Sequence, residues 1–130
     1  MNLIKSDDIS IVAPYPVSHD QVVKYLNSVD ALVVPSLMEG SPNVVKEAMA
    51  CNCPVVATNV GDVAWLFGDE PGHYLSSFKP SDVAKKIQLA LKFSIEYGRT
   101  NGREKIINLG LDSASIAQRL IDIYRMVLQK

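Results

Sequence analysis

The chain has very few of the residues from which disulfide-rich proteins and metal sites are built. Of its 130 residues, two are cysteines and two are histidines. Cys51 and Cys53 are too close in sequence for a disulfide that closes a stabilising loop, and the spacing of His19 and His73 does not group them with the cysteines. We therefore expect two buried thiols and no metal site.

Basic clusters and long apolar runs are also absent. The 13 Lys and Arg residues are balanced by 14 Asp and Glu residues, so no basic field indicates a nucleic-acid partner or a membrane surface. No apolar run approaches the ~20 residues that span a bilayer. The first ten residues, MNLIKSDDIS, have no signal-peptide core, so a cytoplasmic location is expected.

Apolar runs typical of buried strands alternate with segments of helical periodicity. No linker or repeat divides them, so residues 1–130 are expected to form one domain. We predict strands at residues 9–14, 31–36, 54–58 and 73–76. Runs such as ALVVPS are apolar throughout, which favours a parallel sheet covered on both faces. The predicted fold is α/β, a Rossmann-like, doubly wound parallel sheet of about four strands with flanking helices and a helical C-terminus.

Polar residues and glycines mark where helices begin and end. Ser18 and Gln21 form a capping box, and Ser41 before Pro42 is typical of an N-cap followed by the first helical residue. Gly68 is expected to end a short helix that contains Trp65. The last helix carries an apolar stripe made of Ile116, Leu120, Ile123, Tyr124 and Val127.

The loop after the strand at 31–36, LMEGSPN, occupies the position where ligands bind in such sheets, beyond the carboxyl end of a strand. Gly40 allows a ligand to approach the backbone closely. The helix at 42–51 presents free N–H groups and a positive dipole end, which suit a phosphate. Because Pro42 has no N–H group, the amides of Asn43 and Val44 are the better donors.

Two carboxylates, Glu39 and Glu47, flank this anion-binding helix end. Glu47 lies a little over one turn into the helix, and its side chain leans towards the N-terminus, so it suits the two hydroxyls of a ribose. Glu39 is placed to accept hydrogen bonds from sugar hydroxyls on the other side of the phosphates. The pair fits a nucleotide sugar. The alternative is a solvated loop residue and a glutamate favoured by the helix dipole.

The surrounding residues resemble the signature of retaining glycosyltransferases of group 1, family 4, which have the two-domain GT-B architecture. The matching elements are Pro35-Ser36, Glu39, the run Glu47 to Ala50 and the run Pro54 to Thr58. The likeness extends upstream to HDQVVKYLNSVDALVVPS and downstream to GREKIINLGLDSASIAQRLIDIY. It implies the C-terminal, donor-binding domain of such an enzyme, truncated at its N-terminal side.

The resemblance also implies residue roles. Glu47 would hold the ribose, and Glu39 would contact the donor sugar and act in catalysis. The loop amides of residues 40–44, including Gly40, Ser41, Asn43 and Val44, would lie near the sugar and the diphosphate. The family is generally metal-independent, so no metal or cofactor is implied; the substrate would be a UDP- or GDP-linked sugar.

The chain departs from the family in three places. Asn52 stands where the family usually has glycine, and no acidic residue occurs at Ala64–Trp65. By the resemblance, the acceptor-binding domain and the first two strands of this domain would also be missing. A transferase half, a non-catalytic donor-binding module and a truncated fragment therefore all stay open. Strand 31–36 would have a bare edge, which we expect strand 9–14 or a second chain to cover.

Three other residues are interpreted conservatively. His19, beside Asp20, is taken as an ordinary first-turn residue rather than a catalytic one. Trp65 is expected in the core rather than stacked on a base. Asp62 is a loop acid for which the sequence indicates no partner.

Overall fold

The computed structural model describes residues 6–129, which form three parallel strands flanked by helices. A short 3-10 helix, Ser6–Asp8, begins the described chain. The strands are β1 (Leu32–Val34), β2 (Val55–Thr58) and β3 (His73–Ser76). The helices are α1 (His19–Ser28), α2 (Asn43–Ala50), α3 (Val63–Phe67), α4 (Pro80–Tyr97), α5 (Gly102–Asn108) and α6 (Ser113–Leu128).

The sheet has the order β1-β2-β3, with both pairs parallel. Leu32 is opposite Val55 in the first pair, and Val55 is opposite His73 in the second. All four residues of β2 are buried, because a central strand is covered by side chains on both faces. The predicted parallel α/β fold is confirmed, with three strands rather than about four.

The strand predicted at residues 9–14 is wrong. This segment forms no ladder, and the side chains of Ile11 and Val12 are exposed. An alternating or apolar pattern becomes a strand only where a neighbouring strand supplies hydrogen bonds, and Pro14 also lacks an N–H group. The prediction that this segment covers β1 is therefore wrong as well.

The core lies between the sheet and the short helices that follow β1 and β2. Packing α2 against β1 and β2, and α3 against β3 and α5, removes a continuous set of apolar side chains from water. Its members include Val45, Ala48 and Met49 of α2, Val55 and Ala57 of β2, and Val63, Leu66 and Phe67 of α3. These side chains hold α2 and α3 in fixed positions beside the sheet.

Helix ends follow the local signals with one exception. Ser18 and Gln21 form the predicted capping box at the start of α1, and Gly68 ends α3 in a positive-φ conformation. Ser41 is not the N-cap of α2, because the helix begins at Asn43 and Pro42 occupies the cap without a side-chain hydrogen bond. Asn52, where the family has glycine, adopts a φ of 55°, a conformation that asparagine tolerates better than most residues.

Helix α6 carries its predicted apolar stripe on the outside of the described chain. No residue of α6 is buried, and the side chains of the stripe, from Ile116 to Val127, stay at least one-third exposed. Among residues 6–129, no helix combines the length and the apolar character that crossing a membrane requires.

Candidate functional site

The loops that follow β1 and β2 meet at the carboxyl edge of the sheet. Thr58, the last residue of β2, is buried, and its hydroxyl donates to the Ser36 carbonyl of the β1 loop. The Ser36 hydroxyl in turn donates to Oε1 of Glu39 at 2.9 Å. Glu39 is therefore held at this edge by one carboxylate oxygen, and within residues 6–129 the other oxygen has no donor and stays available to a ligand.

A second set of contacts ties the two loops together around Gly40. The amide of Asp62 donates to the Gly40 carbonyl at 3.0 Å. Gly61 lies directly beneath with a φ of +52°, and a Cβ atom there would be 2.0 Å from the same carbonyl oxygen. Only glycine fits this position, because a side chain would collide with backbone and strain the chain. This contact between the β1 loop and the β2 loop fixes the position of Gly40.

Ser41 links this crossing to α2. Its hydroxyl donates to Oδ2 of Asp62 at 2.6 Å and accepts from Nζ of Lys46 at 2.9 Å. The other carboxylate oxygen of Asp62 is buried and has no partner among the described residues. Sequence reasoning found neither Asp62 nor Lys46 as a member of the site, since their contacts with Ser41 depend on how two loops cross.

The start of α2 presents backbone donors that have no acceptor. Within residues 6–129, the amides of Gly40, Ser41, Asn43 and Val44 donate no hydrogen bond to the protein. Their loop and the positive end of the α2 dipole are arranged as an anion-binding site requires. The Lys46 ammonium, which forms no ion pair among the described residues, adds positive charge at the same end.

Glu47 lies beside the first turn of α1. Its Oε1 atom is 3.5 Å from Nδ1 of His19, and its side chain is 32% exposed against 72% for His19. No other hydrogen bond or ion pair to this carboxylate occurs in the described part of the chain. His19 is the first-turn residue that the sequence indicates, but its contact with Glu47, 28 positions away, has no signature in the sequence.

The two cysteines and the tryptophan provide no further functional group at this edge of the sheet. Burial raises the pKa of the Cys53 thiol, with Arg99 acting in the opposite direction, so this thiol stays protonated near neutral pH. Cys51 is half-buried. Trp65 is 53% exposed, so its prediction as a core residue is wrong. In α3, Val63, Leu66 and Phe67 take the inward face, which leaves Trp65 on the outer one.

A cavity of about 710 Å³ lies at the opposite edge of the sheet, where β3 begins. It is lined by residues that include His73, Tyr97 and Arg99. The Arg99 guanidinium already donates to the carbonyls of Leu26, Asn27 and Val29 at the end of α1. Because ligands of parallel sheets bind at the carboxyl edge, this cavity is a poorer candidate than the loops around Gly40.

Comparisons with known proteins identify relatives of the same kind. Residues 4–92 match the family described as glycosyl transferases group 1. A Bacillus subtilis glycosyltransferase named for teichuronic acid biosynthesis, TuaC, is 50% identical over 52 residues, which cover 40% of this chain and 13% of that protein. An uncharacterized glycosyltransferase of Methanocaldococcus jannaschii is 37% identical over 91 residues, covering 67% of this chain and 26% of that one.

The same likeness holds in three dimensions. Sucrose-phosphate synthase from Thermosynechococcus elongatus superimposes with a TM-score of 0.79 at 28% sequence identity. The superposition covers 95% of this chain and 31% of that enzyme. The chain thus spans less than a third of the length of each of these three relatives.

Proposed function

Since the chain belongs to the glycosyl transferases group 1 family, we propose that it binds a nucleotide-sugar donor from which a glycosyl group passes to an acceptor. The observation that carries this proposal is the set of four unbonded amides, at Gly40, Ser41, Asn43 and Val44, at the start of α2. Backbone N–H groups without protein acceptors at the start of a helix suit a ligand with anionic oxygens, and a diphosphate provides several.

The chemistry assigned to this edge is stabilisation of the departing diphosphate. As the glycosidic bond to the donor phosphate breaks, negative charge grows on the diphosphate oxygens. The loop amides, the α2 dipole and the Lys46 ammonium stabilise that charge without needing to reorganise. No metal or other cofactor is assigned a role in this step.

The two glutamates recognise the uncharged parts of the donor. Glu39, held through one oxygen by Ser36, offers its second oxygen to hydroxyls of the transferred sugar. It is the catalytic residue we assign, because it lies next to the reacting carbon in this arrangement. Glu47, half-buried in the second turn of α2, accepts hydrogen bonds from the ribose hydroxyls. The donor base is uracil or guanine in this proposal.

The acceptor is assigned to a different domain or a different chain. This stretch covers less than a third of each of the three relatives described above, so most of the length of those proteins lies elsewhere. A donor-binding module that works with a separate acceptor-binding chain is the second candidate, and the same coverage favours it. Both candidates share the donor site and differ in where the acceptor is held.

Titration calorimetry with UDP, GDP, ADP and their sugars tests the donor site. We expect binding of a uridine or guanosine diphosphate, weakened in Glu47→Gln by about 1.5–3 kcal/mol, the range for a hydrogen bond to a charged group. Glu96→Gln, on the exposed surface of α4, is the matched control and should leave the affinity unchanged. Equal affinities of wild type and Glu47→Gln would remove Glu47 from the site.

A further inference from the structure

We infer that His19 is a positioning residue, which orients the Glu47 carboxylate for the ribose of the bound nucleotide. The inference rests on the proposed donor site and names a residue that no motif of the sequence assigns to it. Its basis is the 3.5 Å approach of His19 Nδ1 to Glu47 Oε1. The approach joins the first residue of α1 to the second turn of α2.

The start of α1 is built as a rigid support for His19. The Ser18 hydroxyl accepts from the Gln21 amide at 3.4 Å, and the Gln21 side chain accepts from the Ser18 amide at 2.9 Å. These reciprocal bonds fix the backbone at the entry to the helix. His19, the first helical residue, therefore projects from a constrained position even though its side chain is largely exposed.

Glu47 has little else to orient it. Among residues 6–129, His19 is its one polar partner, and a glutamate side chain with three rotatable bonds loses entropy when a ligand fixes it. The histidine contacts Oε1 alone. Oε2 and the remaining lone pair of Oε1 stay available, so a carboxylate held in this way still has acceptors for two neighbouring hydroxyls.

Stability of the fold does not account for this pair. A contact with so exposed a histidine contributes little to stability, since solvent screens it and both side chains lose freedom. A protonated histidine at the first position of a helix also opposes the positive end of the helix dipole. Holding Glu47 in one orientation is a role that the geometry supports and that an exposed ion pair can perform.

The test compares ribonucleoside diphosphates with their 2′,3′-dideoxy counterparts. Affinities of UDP, GDP and both dideoxy forms are measured by calorimetry for wild type, His19→Ala, His19→Asn and Glu47→Gln. Lys24→Ala, on the exposed part of α1, is the control. We expect His19→Ala to weaken binding of the ribonucleotide by about three- to fivefold and to leave the dideoxy form unchanged. His19→Asn, whose side-chain amide nitrogen occupies the position of Nδ1, should recover part of the loss.

Each other outcome has a distinct meaning. If wild type binds neither UDP nor GDP, the proposed function fails and this inference fails with it. If wild type prefers the ribonucleotide through Glu47 but His19→Ala keeps the full preference, the donor site stands and the role of His19 is refuted. An equal loss for ribo- and dideoxynucleotides in both His19 variants also refutes it, because a residue that acts through Glu47 cannot affect a ligand without ribose hydroxyls.

Discussion

Acidification should destabilise this fold through one buried histidine. His73 opens β3, and its ring is stacked on Phe67 with the centroids 5.1 Å apart. Neither ring nitrogen has a hydrogen-bond partner within residues 6–129, and a Cβ atom at Gly102 would lie 3.1 Å from Nε2. Burial lowers the pKa of His73 from 6.5 to about 4, because the charged imidazolium cannot be solvated there.

The sign of the effect follows from which state binds the proton. Between pH 6.5 and 4 the unfolded chain protonates His73 and the folded chain does not, so the free energy of unfolding falls as the pH falls. Each unit of pKa difference corresponds to about 1.4 kcal/mol, which gives a total loss of about 3 kcal/mol below pH 4. Between pH 7 and 5 alone the loss is about 2 kcal/mol. Above pH 6.5 the full stability is present.

Urea denaturation at several pH values between 7 and 5 measures this loss. Asp82 and Asp112 do not interfere in this range, because hydrogen bonds from Ser77 and Ser115 lower the pKa of each carboxyl group. His73→Phe keeps a flat ring against Phe67 and removes the titrating group, so its stability should change much less with pH. His19→Gln, which removes the exposed histidine, is the control and should keep the pH dependence of wild type.

Two results would refute the reasoning. If wild type loses no stability between pH 7 and 5, the imidazole is solvated or hydrogen-bonded in the folded state. If His73→Phe loses as much as wild type, a different group controls the acid sensitivity.

Three further predictions concern the loop crossing, the sheet edge and catalysis. Gly61→Ala should lower the free energy of unfolding by at least about 1–2 kcal/mol, which is the cost of a left-handed conformation alone. The added Cβ would also collide with the Gly40 carbonyl. Denaturation should show a smaller loss for the control Gly40→Ala, whose Cβ meets nothing within 4 Å. The free edge of β1 is expected to pair with the same edge of a second chain, because an edge strand has unpaired N–H and C=O groups. Light scattering that finds only monomers at all concentrations would contradict this. Residues 1–130 alone should transfer no sugar from radiolabelled UDP- or GDP-sugars to an acceptor extract, because in our proposal the acceptor is positioned by a different domain or chain. Transfer above that of a Glu39→Ala, Glu47→Ala variant would show that this part is sufficient.

Features that depend on a few consecutive residues were predictable from the sequence. The capping box at Ser18, the strand between residues 54 and 58 and the end of α3 at Gly68 all agree with the structure. Each is determined by hydrogen bonds or burial preferences within one turn or one strand. The family, too, was identified from one stretch, because the spacing of Glu39, Glu47 and the following apolar strand is itself local.

The predictions that failed are those in which a residue or segment has different neighbours in space from the ones its local pattern indicates. Residues 9–14 have a strand-like pattern but no neighbouring strand, and Trp65 is apolar but lies on the outer face of α3. Ser41 has the side chain of an N-cap, yet its hydroxyl bonds Asp62 and Lys46 instead. In each case the local sequence shows the intrinsic preference of the residue, but the groups available around it in the fold determine its conformation and its contacts.

The sequence by itself therefore determined the alternation of strands and helices, and it predicts an anion-binding start of α2 with two glutamates beside it. Only the tertiary structure decided which groups surround them. Asp62 reaches Ser41 because Gly61 lets two loops cross, and His19 reaches Glu47 because α1 packs beside α2. Residues 21 and 28 positions apart meet through the packing of whole elements, and no local preference of either residue encodes that meeting.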